Sequence, residues 1–169
     1  MTFSHIDQFI NDYRNEKNTR KLLPYREETV SHLRELIKSQ EEYVGSLGEH
    51  KLLKALYEQE LERIKYVLTD YLKIRLMKLQ KNFYIDSEYL SEYERVFYQK
   101  LVDKFKEYDV FVEQKEEYDD YECVGFIALV DIGNIVIDSN RVDVLAGDFF
   151  VAQLADVKHL LLDRKIMLV

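Results

Sequence analysis

Tryptophan is absent, and proline and cysteine occur once each, at Pro24 and Cys123. A lone cysteine cannot close an internal disulfide, which fits a reducing compartment. Because Cys123 sits in an apolar run, its thiol is expected to be buried. No apolar stretch approaches the roughly 18 residues of a membrane helix. The opening MTFSHIDQFINDYRNEK lacks the apolar core of a signal peptide, so neither membrane insertion nor secretion is expected. Positive charge is in deficit: 24 Lys and Arg against 32 Asp and Glu give a net charge of -8. Such a chain gains nothing overall from a phosphate backbone, so strong independent nucleic-acid binding is disfavoured. The metalloprotease, P-loop, dinucleotide-fold and nucleophile-elbow patterns are all missing. His5, His32, His50 and His159 have no histidine or cysteine at ligand spacing, which leaves them as surface or partner-facing residues. No catalytic residue, metal or cofactor is expected.

Glycine and proline are also absent from the whole stretch between Gly48 and Gly125, which leaves room for long helices. The composition agrees, with 47% hydrophobic and 33% charged residues, the latter above the roughly 25% of an average domain. Residues 4–15 predict a short amphipathic helix with Ile6, Phe9, Ile10 and Tyr13 on one face. After the polar stretch from Arg14 to Lys21, Pro24 suits the first turn of a second helix. In that helix Val30, Leu33, Leu36, Ile37 and Val44 fall near helical spacing, and Gly45-Ser46-Leu47-Gly48 ends it. The strongest pattern runs over 49–83, where Leu53, Leu56, Leu61, Ile64, Leu68, Tyr71, Leu79 and Phe83 keep the helical period. Such a helix is about 50 Å long, whereas a globule of this size is about 30 Å across. It is expected to project, and its apolar surface to need a partner. A fourth helix is predicted over 87–107, capped by Asp86 or Ser87, with Leu90, Tyr93, Val96, Phe97, Leu101 and Phe105 inward.

Composition then changes. Residues 113–122, EQKEEYDDYE, carry six acids and one lysine and read as a solvated linker. Beyond it the period is that of strands: 123–132 as a nearly continuous apolar run, a tight turn at Gly133-Asn134, then Asn134–Asp138, Val142–Leu145, Phe149–Gln153 and Ile166–Val169. Ala155–Asp163 reads as one short helix. The predicted fold is α+β: an elongated N-terminal bundle of about four helices over 1–107, an acidic linker over 108–122, and a small β-rich domain over 123–169. The last is marginal alone and is expected to lean on the helical half or on another chain. Asp131, Asp138, Asp143 and Asp148 gather there, and paired carboxylates do acid–base work, but strand ends and turns collect aspartates anyway. The thirteen tyrosines suit interfaces. Lys73, Arg75, Lys78 and Lys81 form a basic cluster on the long helix, either a solvated face or a surface for an acidic partner.

The stretch Glu62-Arg63-Ile64-Lys65-Tyr66-Val67-Leu68-Thr69-Asp70-Tyr71-Leu72-Lys73-Ile74-Arg75-Leu76-Met77-Lys78-Leu79-Gln80-Lys81 resembles the pattern ERIRYVLxxYLRxRLxKIEK of the Sld-five type subunit of the GINS complex. Leu22-Leu23-Pro24-Tyr25 is similar to that family's entry to the second helix, and the order of a helical part before a small β part is the same. Gly147, Leu160, Leu161 and the ending Ile166-Met167-Leu168-Val169 also resemble it. Lys65 and Lys73 stand where the family often has arginine, and Leu79 and Gln80 where it often has Ile and Glu; Lys does not reproduce the paired hydrogen bonds of Arg.

The resemblance implies a non-catalytic scaffold subunit of a heterotetramer with three Psf-type chains, working in the nucleus in eukaryotic DNA replication. The assembled complex would join the MCM motor and a RecJ-like cofactor in the replicative CMG helicase. Tyr66, Tyr71, Arg75 and Lys78 are then candidate interface residues. Tyr71 lies on the inward stripe, however, and Arg75 equally suits an intrachain salt bridge to an acid on the fourth helix. Ile6, Asp7, Phe9 and Ile10, within residues 1–15, resemble a peptide that docks on a trimeric replisome hub; the same pattern suits a first helix packed on its own domain. An unrelated helical adaptor would share the elongated shape without these partners.

Overall fold

The computed structural model describes residues 5–48, 50–82, 85–107, 122–137 and 139–169. Phe83, Asp138 and the expected linker other than Glu122 lie outside the described residues. The elements are α1 (His5–Lys17), α2 (Glu27–Ser46), α3 (Lys51–Lys81), a 3-10 turn (Ser87–Tyr89), α4 (Glu92–Glu107), β1 (Cys123–Ala128), β2 (Gly133–Ile137), β3 (Asn140–Val144), β4 (Phe149–Gln153), α5 (Leu154–Leu162) and β5 (Ile166–Leu168). The fold is α+β, as its periodicities predict. No helix among the described residues is long and apolar enough to cross a membrane.

α2 and α3 form an antiparallel hairpin, and α1 lies in the groove between them. Phe9, Val30, Leu33, Leu68 and Tyr71 make the shared core, with Phe9 edge-on to Tyr71. Pro24 does not open α2. The helix starts at Glu27, and Leu22–Arg26 runs as a non-helical strap whose Tyr25 N–H donates to the carbonyl of Tyr89 (3.1 Å). A proline disfavours helical geometry in the residue before it, and the strap's backbone is taken up by tertiary bonds instead.

α4 starts five residues later than its apolar spacing suggests, because Asp86 accepts from the Glu88 N–H and caps only the 3-10 turn. The true start is a capping box. The Glu94 N–H donates to Ser91 Oγ (3.3 Å), and the Ser91 N–H donates to Glu94 Oε2 (2.9 Å). Leu22, Leu79 and Leu90 form the core between α3 and α4.

The β half holds a three-stranded antiparallel sheet in the order β4-β1-β5 and a separate β2–β3 hairpin. The apolar run over 123–132 is therefore not one strand, and Gly133 opens β2 instead of turning a hairpin with β1. Both edges of β1 are occupied by β4 and β5, so β2 pairs only with β3, through a turn that holds Ser139 at φ 68°. Val124, Phe126 and Ala128 of β1 point inward onto α5, where Leu154, Val157, Leu160 and Leu161 complete the core. The alternation of a strand puts Cys123 on the other face, and it is exposed rather than buried.

The β half leans on α1 and the residues just after it. Asn15 Oδ1 accepts from the Leu168 N–H (2.8 Å), and Asn18 Nδ2 donates to the Leu168 carbonyl (3.2 Å). Arg26 donates to the Leu162 carbonyl. Glu122 accepts from Thr19 Oγ1 and from the Arg20 N–H. An N-cap serine is worth about 1 kcal/mol, whereas exposed substitutions away from such features stay within about 0.5 kcal/mol. Ser91→Ala is accordingly expected to lower the urea midpoint, and Ser87→Ala to leave it nearly unchanged. Equal effects of the two would place the start of α4 elsewhere.

Candidate functional site

The side chain at the centre of the molecule is Arg75, on the inward face of α3 and fully buried at 0% exposure. All five of its N–H donors are used. Nε donates to Glu94 Oε1 (2.7 Å) and Nη2 to Glu94 Oε2 (3.0 Å), the paired geometry that a guanidinium offers a carboxylate. Nη2 also reaches the Tyr89 carbonyl (2.8 Å), while Nη1 donates to Glu16 Oε2 (3.0 Å) and the Leu23 carbonyl (2.7 Å). The rings of Tyr25 and Tyr71 lie 5.1 and 5.7 Å from the guanidinium carbon, within cation–π range.

One turn further along α3, Lys78 spends its three donors on Glu16 Oε1 (2.6 Å), the Glu16 carbonyl (2.6 Å) and the Lys21 carbonyl (2.7 Å). Two cations and two carboxylates thus close on one another with no net charge. Burial pushes the Lys78 ammonium below the usual lysine range, and Glu16 only partly offsets it. Burial acts the same way on Arg75, but there the Glu94 hydrogen bonds, with the charges of Glu16 and Glu94, outweigh it and hold the guanidinium above the usual range. Burial raises Tyr71 above the ordinary tyrosine value.

A second network ties α1 to the β half. Arg164, in the left-handed region at φ 59°, donates to Gln8, Asp12 and Thr29. Burial pushes the Asp12 carboxyl up, opposed first by Arg164 and then by Arg26.

Of the candidate interface residues, Tyr66 is 68% exposed, whereas Tyr71, Arg75 and Lys78 are 1%, 0% and 9% exposed and are engaged inside the chain. The basic cluster on α3 is split accordingly, with only Lys73 and Lys81 facing outward. In the candidate docking peptide, Phe9 is at the core of the helical hairpin (2%), Ile10 is half-buried, and Ile6 and Asp7 face outward. Asp131 and Asp148 accept backbone N–H groups of the β3–β4 turn, from Ala146 and Leu145, which is turn chemistry. Sequence reasoning missed Glu16 and Glu94. The Ser91-Glu92-Tyr93-Glu94 capping-box spacing pointed to Glu94; nothing local singled out Glu16 in its polar stretch.

No family model matches the chain. It is 30% identical over 143 residues to the DNA replication complex GINS protein SLD5 of Arabidopsis thaliana, a match covering 78% of this chain and 65% of that protein. The Homo sapiens protein of the same name is 35% identical over 78 residues, covering 46% of this chain and 35% of its own length. The Schizosaccharomyces pombe protein is 36% identical over 93 residues, covering 49% and 44%. The chain thus spans between 35% and 65% of the length of these relatives.

Removing one member of a buried ion cluster strands its partners and costs about 3–5 kcal/mol. Arg75→Ala is expected to lower stability by that order, and Arg75→Lys to recover only part, having three donors in place of five. Chemical denaturation checks this; an unchanged midpoint for Arg75→Ala would remove the cluster from the account. In alkali the unfolded chain ionises Tyr71 from about pH 10 while the folded chain keeps it protonated. The folded state then binds more protons, so stability falls as pH rises above 10. Tyr71→Phe is expected to flatten that decline in melts recorded between pH 9 and 11.

Proposed function

Starting from the chain as a relative of the SLD5-type GINS proteins, we propose that it is a non-catalytic scaffold subunit of a GINS heterotetramer that acts in DNA replication. Its three partners are the Psf-type sister chains. The assembled particle bridges the MCM motor and a RecJ-like cofactor in the CMG helicase, in the nucleus. The observation that carries this reading is the extent of the Arabidopsis match: at 78% of the chain it cannot be confined to the helical part. The architecture supports it. The charged groups at the centre serve one another, and what is turned outward on α3 is a surface for contact.

Tyr66 and Met77, 68% and 52% exposed, lie eleven residues apart, which returns them to one side of α3 with Lys73 between. We place a sister-chain contact there. Tyr71, Arg75 and Lys78 serve that contact from within, by fixing α3 against α1 and α4.

Co-expression with the three Psf-type chains, followed by size-exclusion chromatography with mass determination, is expected to yield a one-to-one-to-one-to-one particle. A folded monomer that ignores those chains would leave the helical adaptor as the better description. Tyr66→Glu with Met77→Glu is expected to lose the sister chains while keeping the melting temperature of the isolated subunit. Retention of the whole particle by the double variant would move the contact to another face.

A further inference from the structure

Two charged networks meet at one small internal cavity. The first is the cluster of Arg75, Lys78, Glu16 and Glu94, and the second runs from Arg164 and Arg26 to Asp12. Both reach α1, where Asp12 and Glu16 stand four residues apart and therefore on one face. Beside them the packing leaves about 10 Å³ for the centre of a water molecule, and about 10–15 Å³ on that measure holds one. Asp12, Asn15, Glu16, Arg26 and Tyr71 line the cavity, together with Leu23 and other apolar residues. Apolar cavities stay dry, whereas a buried water settles where about three polar groups can hold it.

The wall of this cavity has hydrogen-bonding capacity to spare. A carboxylate offers about four lone-pair sites. Glu16 accepts from Lys78 through Oε1 and from Arg75 through Oε2. Asp12 accepts from Arg164 through Oδ2, while Arg26 Nε stands 3.9 Å from Oδ1, too far for a direct hydrogen bond. Among the described residues these contacts leave lone pairs on both carboxylates. The two also repel: burial first, and the Glu16 charge in addition, push the Asp12 carboxyl up against the pull of Arg164 and Arg26. Burial, with the charges of Glu16 and Asp12 and against that of Arg75, keeps the Tyr71 phenol protonated.

We infer that one internal water molecule occupies this cavity, donating to the carboxylates of Asp12 and Glu16 and accepting from the Tyr71 hydroxyl. Water brings two donors to two carboxylates that repel, and it takes the proton of a buried hydroxyl. It adds no charge to a central cluster that is already neutral. An apolar side chain in the same space would leave the carboxylates without that solvation. Bound so, the water makes one network of two: Arg75 and Lys78 on α3 are linked through Glu16, the water and Asp12 to Arg164 of the β half. The lining residues that reach solvent are Pro24, Arg26 and Leu162, and Arg26 closes that side by donating to the Leu162 carbonyl (3.0 Å). Exchange with bulk water runs past that bond. The water belongs to the fold of the chain itself and is expected with or without the sister chains.

A crystal structure of the isolated subunit, at a resolution that shows ordered water, tests this directly. Density for a single water is expected within about 2.6–3.2 Å of the Tyr71 hydroxyl and of one carboxylate oxygen each from Asp12 and Glu16. Oxygen-17 relaxation dispersion tests it in solution. Tyr71→Phe, which removes only the hydroxyl, is expected to lose one long-lived water from the dispersion amplitude, whereas Ser87→Ala, away from the cavity, loses none. A parent structure in which Tyr71 bonds a carboxylate directly, with no water between, would overturn the inference. Density at about 2.0–2.5 Å from the carboxylates would mean a coordinated cation and would overturn it as well. So would an amplitude that Tyr71→Phe leaves unchanged. If Tyr71→Phe does not fold, the parent structure decides alone.

Discussion

Four pieces of the helical half are arranged around a guanidinium that has left water. Burying Arg75 at 0% exposure carries a desolvation cost that is recovered only when every donor is met and the charge is matched. Both conditions hold, and meeting them dictates the positions of four separate pieces of chain. Glu94 fixes the start of α4, Glu16 the end of α1, and the carbonyls of Leu23 and Tyr89 the two connecting segments. Lys78 adds the Lys21 carbonyl and a second hold on Glu16. The strap around Pro24 is pinned tightly enough that adjacent residues serve different cores. Leu22 joins Leu79 and Leu90, Leu23 joins the β half, and Tyr25 packs against the core of the helical hairpin. A lysine at position 75 would have one point charge where this geometry uses a flat fork.

The elements with a strong period were legible. The stripe from Leu53 to Leu79 has no competing period and no glycine or proline, and α3 spans Lys51–Lys81 almost as that stripe predicts. The α+β order was legible for the same reason. Strand partners were not, because the apolar run over 123–132 carries no mark of where β1 ends. The turn after Ala128 is set by Asp148, Lys165 and Val144 carbonyls that arrive from elsewhere in the chain. Pro24 was misplaced because its local preference for a helix start was overridden by tertiary bonds to the strap. The role of Arg75 was half visible: a partner-facing contact and an intrachain salt bridge to an acid on the fourth helix suited it equally, and Glu94 on α4 is such an acid. Glu16 was hidden, since a single carboxylate in a basic, polar stretch looks like any solvated residue until the fold brings it 59 positions along the chain to Arg75.

The division into a helical and a β half is weaker in the structure than in the sequence. α1 belongs to both. Its Phe9 is in the helical hairpin, its Glu16 is in the central cluster, and its Asn15 completes the backbone pairing of Leu168. Arg164 reaches back to Gln8 and Asp12 from a left-handed position, a conformation that costs a non-glycine residue about 1–2 kcal/mol and persists where its surroundings hold it. Any hinge between the halves would have to break these hydrogen bonds or the ones from Glu122 to Thr19 and Arg20. The β half is therefore registered to α1, and α1 is registered to α3 through Glu16. The outward faces of α3 inherit that order. The side carrying Tyr66 is thereby tied, through α1 and the central cluster, to the position of the sheet.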